Sequence, residues 1–384
     1  MRWTDRSVVF ASGATYSFGA TFSLDLPDGF IVDLNGATIK PATGFTGTMF
    51  QKSGTGACVL CNSKASGGIY GAPTSGFGLA VALNTTEASA GLTVQNIAFY
   101  DCALEADETY PQGRGCIRIA GGDRATLTGG SHVLRGCTLD NSKVEVAGVG
   151  HEFHDLAFTN SPYNSVHVGL HPLAFNAVNL SGLNKGLFQG ITIANGFSEG
   201  DATTDHGNFY VGRSLFGDLT IKDLTLSNCK ARGLYLDDGA ASIFVTGCTV
   251  TNQTGISLQH GGGPNVQITG FVDTDASAAS KFDDRLNPAT TGFSIHDQFH
   301  EEAWTHGSDS GSGASLGTSR FMNDYSHLSG ATALLAYLNS IGSDVLSWFD
   351  GEAAFTVEGK SSIDYVRAGS TPEPEVEVPV GFGG

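Results

Sequence analysis

Asp237 and Asp238 stand side by side in Gly233-Leu-Tyr-Leu-Asp-Asp-Gly239, and His260 opens a triple glycine in Gly255-Ile-Ser-Leu-Gln-His-Gly-Gly-Gly263. Two carboxyl groups can supply the acid and the base or nucleophile of glycoside hydrolysis. They must stand roughly 5–5.5 Å apart for retention or 6.5–9.5 Å for inversion. Asp238 is the first candidate, with Asp237 or Asp205 as its partner. Asp205 sits beside His206 in the polar stretch before Phe209-Tyr-Val211. His206 and His260 could orient or polarise a carboxylate. Arg213, Asp238 and His260 fall at equivalent places after three alternating phrases and are expected to form one charged strip, flanked by Tyr210 and Tyr235. Aromatic faces of that kind pack against sugar rings. The same residues also fit a plainer reading, in which Asp237-Asp238-Gly239 and His260-Gly-Gly-Gly only make turns.

Positioning such a strip requires a repeat, and the chain has one. An apolar-x-apolar-x-Asn phrase recurs as Cys137-Thr-Leu-Asp-Asn141, Leu156-Ala-Phe-Thr-Asn160, Ile191-Thr-Ile-Ala-Asn195, Leu224-Thr-Leu-Ser-Asn228 and Cys248-Thr-Val-Thr-Asn252. A second phrase follows it, as Ile117-Arg-Ile119, Val144-Glu-Val146, Val166-His-Val168, Phe209-Tyr-Val211, Leu234-Tyr-Leu236, Ile256-Ser-Leu258 and Phe293-Ser-Ile295. Most copies lie roughly 22–27 residues apart, a period that marks a solenoid. Alternation within each copy marks strands with one buried face. A parallel β-helix meets both conditions, and Asn at one corner would stack into a ladder, because it tolerates the left-handed conformation there. The middle residues of the second phrase then form an outward column of Arg118, Glu145, His167, Tyr210, Tyr235, Ser257 and Ser294. Neighbours in such a column stand about 4.8 Å apart. His167, Glu145 and Arg118 join Arg213, His206, Tyr210 and Tyr235 as candidate substrate-binding residues.

Composition agrees with short strands and tight turns. The 384 residues include 53 Gly, and only 15% are charged; this favours an all-β chain over helices. The formal net charge is −18. Nucleic acid is therefore not an expected partner, since phosphate binding needs Lys and Arg, and no apolar run approaches a membrane span. Seven cysteines make an odd count, which excludes a complete disulfide framework. Cys137 aligns with Cys248, and Cys102 with Cys229, as interior stack residues. Cys58-Val-Leu-Cys61 has no second pair to complete a metal site. His296, His300 and His306 lack compact zinc spacing, so no metal is expected. No cofactor is expected either, because nucleotide and dinucleotide fingerprints are missing.

Three regions are expected: 1–44 as N-terminal strands capping the solenoid, 45–297 as the parallel β-helix, and 298–384 as a linker, helix and tail. Within the last, 307–317 reads as a flexible linker. Leu334, Leu335, Leu338 and Ile341 give a helical face over 331–341. Ala354-Phe-Thr-Val357 and Ile363-Asp-Tyr-Val366 could pair as a hairpin.

The Asn ladder, the repeat length and the strand phrases resemble the right-handed parallel β-helix superfamily, the pectin-lyase-like fold, over roughly residues 8–297. Tyr235-Leu-Asp-Asp-Gly239 with His260-Gly-Gly262 is similar to a motif of β-helix glycosidase-like proteins. A Gly-rich β-helix with no visible signal peptide and a distinct C-terminal segment resembles phage tailspikes and tail fibres. The resemblance implies assembly in a cytoplasm, a virion-associated homotrimer and a surface polysaccharide as partner, bound or also hydrolysed. A free-standing, secreted polysaccharide hydrolase is the alternative. A lyase is weaker, because Arg114, Arg118, Arg124 and Arg135 are spread over several coils and the net charge opposes an acidic polymer.

Overall fold

The computed structural model describes residues 1–71, 81–86, 88–104, 114–122, 130–169, 183–196, 207–214, 219–240, 243–260, 266–274, 282–284, 296–297, 319–324 and 360–367. For Arg213, Asp238 and His260 it describes the backbone alone. Asp205, His206, the expected 307–317 linker and the expected 331–341 helix lie outside these residues.

The apolar-x-apolar phrases form strands that stack in parallel, and the described residues contain no helix. One coil consists of Val144–Val146, Glu152–His154 and Ala157–Thr159. The next, Val166–Val168, Leu187–Gln189 and Thr192–Ala194, pairs with it residue for residue. Repetition builds a ten-strand sheet from the first run of each coil and a 21-strand sheet from the other two. The long strands Leu219–Ser227 and Ile243–Thr251 pass through both of those runs. The fold is an all-β solenoid of parallel coils.

Two corners set the coil shape. The expected ladder is present: Asp101, Asn141, Asn160, Asn195, Asn228 and Asn252 all have φ between 47° and 54°. Their side chains link successive coils, with Asn141 Nδ2 donating to Asp101 Oδ1 at 3.0 Å and Asn252 Nδ2 to Asn228 Oδ1 at 3.1 Å. Asn and Asp bear the left-handed conformation better than other side chains. A second left-handed corner lies five residues upstream in each coil, at Asn96, Gly136, Asp155, Gly190, Asp223 and Gly247. It was not anticipated. From Asn96 to Gly247 a side chain and a glycine alternate from coil to coil, whereas Asn62 stands beside Asn96 and Gly270 beside Gly247. A Cβ at Gly136 would come 2.8 Å from Asn96 Oδ1, and one at Gly190 would come 2.7 Å from Asp155 Oδ1. Each Asx side chain thus occupies the space over the following glycine.

The interior is a set of stacked rows. Phe153 and Phe188 stack at 4.4 Å with planes 9° apart, and burying each ring contributes roughly 1.5–3 kcal/mol. Ile97, Cys137, Leu156, Ile191, Leu224, Cys248 and Phe271 form another row. All seven cysteines are buried and free, and Cys137 and Cys248 share a row, as their alignment requires. One apolar row, continuing from Phe30 and Cys58 through Leu92, is interrupted by His132 and His151, both fully buried.

Stacking begins before residue 45. Ser7–Val9 pairs in parallel with Phe30–Asp33, and Thr15–Phe18 with Thr38–Pro41, while Arg2–Trp3 runs antiparallel to Val8–Val9 at the end. At the other end, Lys360–Arg367 pairs in parallel with Val266–Asp273 and antiparallel with Ser319–Asp324. Both edges of that strand are occupied, and 354–357, expected to pair with Ile363–Val366 as a hairpin, lies outside the described residues.

Candidate functional site

Alternation along the ten-strand sheet sends every second side chain outward. The register then aligns Arg118 with Glu145, Glu145 with His167, His167 with Tyr210 and Tyr210 with Tyr235. Five coils therefore contribute one row, as the phrases indicate.

Beyond Tyr235 the row departs from the expectation. Leu234 pairs with Leu258, so Gln259 follows Tyr235 and His260 lies opposite Leu236, not Asp238. Ser257, expected in the row, instead donates its hydroxyl to Asp273 Oδ2 at 2.7 Å in a buried position. On the preceding coil the register shifts between Val211 and Arg213, which sets Arg213 opposite Gly239. Arg213, Asp238 and His260 are not a column.

At one end of the row, Glu145 Oε2 lies 3.7 Å from Arg118 Nε, and its Oε1 lies 3.8 Å from Lys143 Nζ. Lys143 was not singled out from the sequence, although its spacing of two from Glu145 puts it on the same strand face. Burial pushes the Lys143 ammonium down to about 8, with Glu145 opposing the shift.

At the other end, Tyr210 and Tyr235 lie 5.1 Å apart, and His167 meets the Tyr210 ring edge-on at 4.9 Å. The Tyr210 hydroxyl donates to Asp237 Oδ2 at 2.6 Å and the Tyr235 hydroxyl to Asp237 Oδ1 at 2.8 Å. The Tyr210 ring lies across Gly212, where a Cβ would come 3.0 Å from its Cε1. A side chain at Gly212 would therefore displace the ring that reaches Asp237. The Arg232 guanidinium sits 4.9 Å over the Tyr235 ring, a cation–π contact.

An open outward groove was expected, but most of the row is buried: Glu145 is 1% exposed, Tyr210 6%, His167 8% and Tyr235 0%. Arg118 at one end of the row and Asp237 beside the tyrosines are partly exposed. Two buried phenols hold the Asp237 oxygens. Chemically this is a fixed acceptor beside aromatic surface.

Three strand steps of about 4.8 Å each separate the coil of Glu145 from the coil of Tyr235 and Asp237.

Three-sided parallel coils carrying a polar row on one sheet define a parallel β-helix protein. The chain matches the family described as the right handed beta helix region over residues 79–272, half of its length, and belongs to that family. No curated protein and no solved structure matches it.

Proposed function

We propose that this β-helix binds polysaccharide on the outer face of its ten-strand sheet, with Asp237 as the acceptor for sugar hydroxyls. The carrying observation is the pair of phenol hydrogen bonds that fixes Asp237 from two successive coils. A preorganised acceptor avoids the ordering cost of binding, and the neighbouring tyrosines offer ring surface. The family fits polysaccharide-binding or polysaccharide-degrading proteins in general. Arg118, Glu145 and His167 support the row from within. Cleavage, if it accompanies binding, falls to Asp238 with Asp237 or Asp205, with Arg213, His206 and His260 contributed by other coils or loops.

The test is affinity across a panel of bacterial and algal glycans, repeated with Asp237→Asn and Tyr235→Phe. A glycan bound by the parent should lose at least about tenfold in affinity with either variant, or about 1.4 kcal/mol. Unchanged affinity would remove the site, and a panel with no binder would remove the function. Release of reducing ends, abolished by Asp238→Asn, would establish hydrolysis.

The finer reading is a virion tailspike or tail fibre. It is favoured by the C-terminal strands Ser319–Asp324 and Lys360–Arg367, which extend the sheet past the last solenoid phrase. It requires a trimer, so light scattering of the full chain should return three times the 39.8 kDa protomer mass. A monomer would leave the free-standing polysaccharide hydrolase.

A further inference from the structure

His132 and His151 stack at 5.0 Å with planes 22° apart, in the interior row below Leu92. Their hydrogen bonds fix the ring protons. His132 Nδ1 accepts the Leu92 backbone N–H at 3.2 Å, and His151 Nδ1 accepts the His132 backbone N–H at 3.2 Å. A nitrogen that accepts carries no proton, so each neutral ring is protonated at Nε2. His132 Nε2 then donates to Ser89 Oγ at 3.0 Å, whose own proton goes to Thr86 O at 2.6 Å. His151 Nε2 donates to Ala147 O at 3.0 Å. The run Leu92–His132–His151–Ala147 ties three successive coils together through imidazoles.

Protonation would place an N–H at each Nδ1, facing the N–H that it now accepts. It would also set two cations side by side. Burial outweighs the described groups on the rings that favour charge, Ala120 and Ser89 at His132 and Ala147 at His151. From the coils above come Leu92, Ser89 and the buried Lys52, whose charge also opposes a charged His132. The coil below brings the backbone of Gly186 and Leu187. Gly121 and Gly148 lie so close that a Cβ on either would come 3.0 or 2.9 Å from an Nε2, so the rings have no room to turn away. Among the described carboxylates of the same coils, Glu145 is engaged with Arg118 and Lys143, and Glu152 with His154. Burial, with the His151 ring adding to it, pushes His132 down to about 3; burial pushes His151 down to about 4.

We propose that His132 and His151 form an acid-labile fastener between the coil carrying Arg118 and the coil carrying Glu145. Neutral rings close the corner; protonated rings open it. Both folded values lie below the ordinary 6.5, so the unfolded chain binds more protons in acid. Stability is fully present above about pH 6.5 and is lost as pH falls toward 4 and 3. Ala147 is two residues from Glu145, so opening reaches the outer row directly.

Histidine side-chain NMR of the intact chain at pH 7 should show two neutral Nε2–H rings that stay neutral below pH 5 while the chain is folded. A neutral Nδ1–H form, or titration of either ring near 6.5 in the folded chain, overturns the proposal. The double variant His132→Asn with His151→Asn supplies acceptors that do not titrate. Its acid-unfolding midpoint should fall by at least about one pH unit relative to the parent, and an unchanged midpoint overturns the proposal. Hydrogen exchange on the unmodified chain reads the same device if the variant does not fold. Between pH 6 and 4.5 the Leu92 and His132 amides should lose at least about tenfold in protection while Val94 keeps its own. Equal loss at all three would leave only general acid unfolding.

Discussion

The hydroxyls of Tyr210 and Tyr235, on neighbouring coils, meet on the two oxygens of Asp237 at 2.6 and 2.8 Å. One carboxylate thereby couples two coils across the outer face of the sheet. Stability follows from this independently of any ligand. Tyr235→Phe removes a donor from a fully buried site and should cost about 1 kcal/mol. Tyr210 and Tyr235 share their acceptor, so a double-mutant cycle by urea denaturation should return a coupling of about 0.5 kcal/mol or more. Additive losses would mean that the two phenols act independently.

Glu145 answers to two cations, and Lys143 is as buried as it is. Glu145→Gln leaves those cations without that carboxylate, and breaking a buried ion pair from one side costs about 3–5 kcal/mol. Loss of the opposing charge should also carry Lys143 further below about 8. Denaturant midpoints at pH 7 and 9 check both: the variant should recover part of its deficit at the higher pH, where Lys143 loses its charge.

All seven thiols are buried and free, and burial raises each of them. Cys61, Cys137 and Cys229 reach about 11 and Cys116 about 12, against an ordinary value of 9.0. A thiol reagent at pH 8 should titrate almost none in the native chain and seven in denaturant. Raised folded values give stability that is present below pH 9 and lost as pH climbs through 11 and 12, at up to about 1.4 kcal/mol per thiol per pH unit. Lys143 runs the other way between about 8 and 10.5, one group against seven. Net stability should therefore fall above pH 9, as chemical denaturation at stepped pH would record.

At the upstream corner, Gly190→Ala should destabilise the chain for two reasons. The φ of 67° strains an L-residue, by about 1–2 kcal/mol. The new Cβ also meets Asp155 Oδ1 at 2.7 Å. Adding Asp155→Gly should recover the second contribution and leave the first, measurable as a partial return of the thermal midpoint.

Much of the architecture could be read from the chain, because buried alternation and corner Asn residues repeat visibly. Arg118, Glu145, His167, Tyr210 and Tyr235 fell into one row because each lies between two apolar residues. The row failed at His260 for a physical reason. A one-residue slip turns every side chain to the other face, but a two-residue slip keeps each on its face, and Ile256-Ser-Leu258 and Leu258-Gln-His260 both satisfy the phrase at one end. Only the stacking of Leu234 on Leu258 decides between them. The shift between Val211 and Arg213 had a signal in Gly212 that was passed over, since an isolated glycine within a strand marks a bulge. Lys143 was overlooked because a lysine next to a turn reads as solvated, and the second corner because Asn, Asp and Gly share a conformation without sharing a letter.

Between Asn96 and Gly247 the second corner counts in twos. Asn96 leans over Gly136, Asp155 over Gly190 and Asp223 over Gly247, while Asn62 beside Asn96 and Gly270 beside Gly247 end the alternation on either side. Excising the single coil that holds Gly190 would bring Asp155 directly above Asp223, two carboxylates in a space shaped for one. A length variant that keeps this stretch of the corner intact should gain or lose coils there in even numbers.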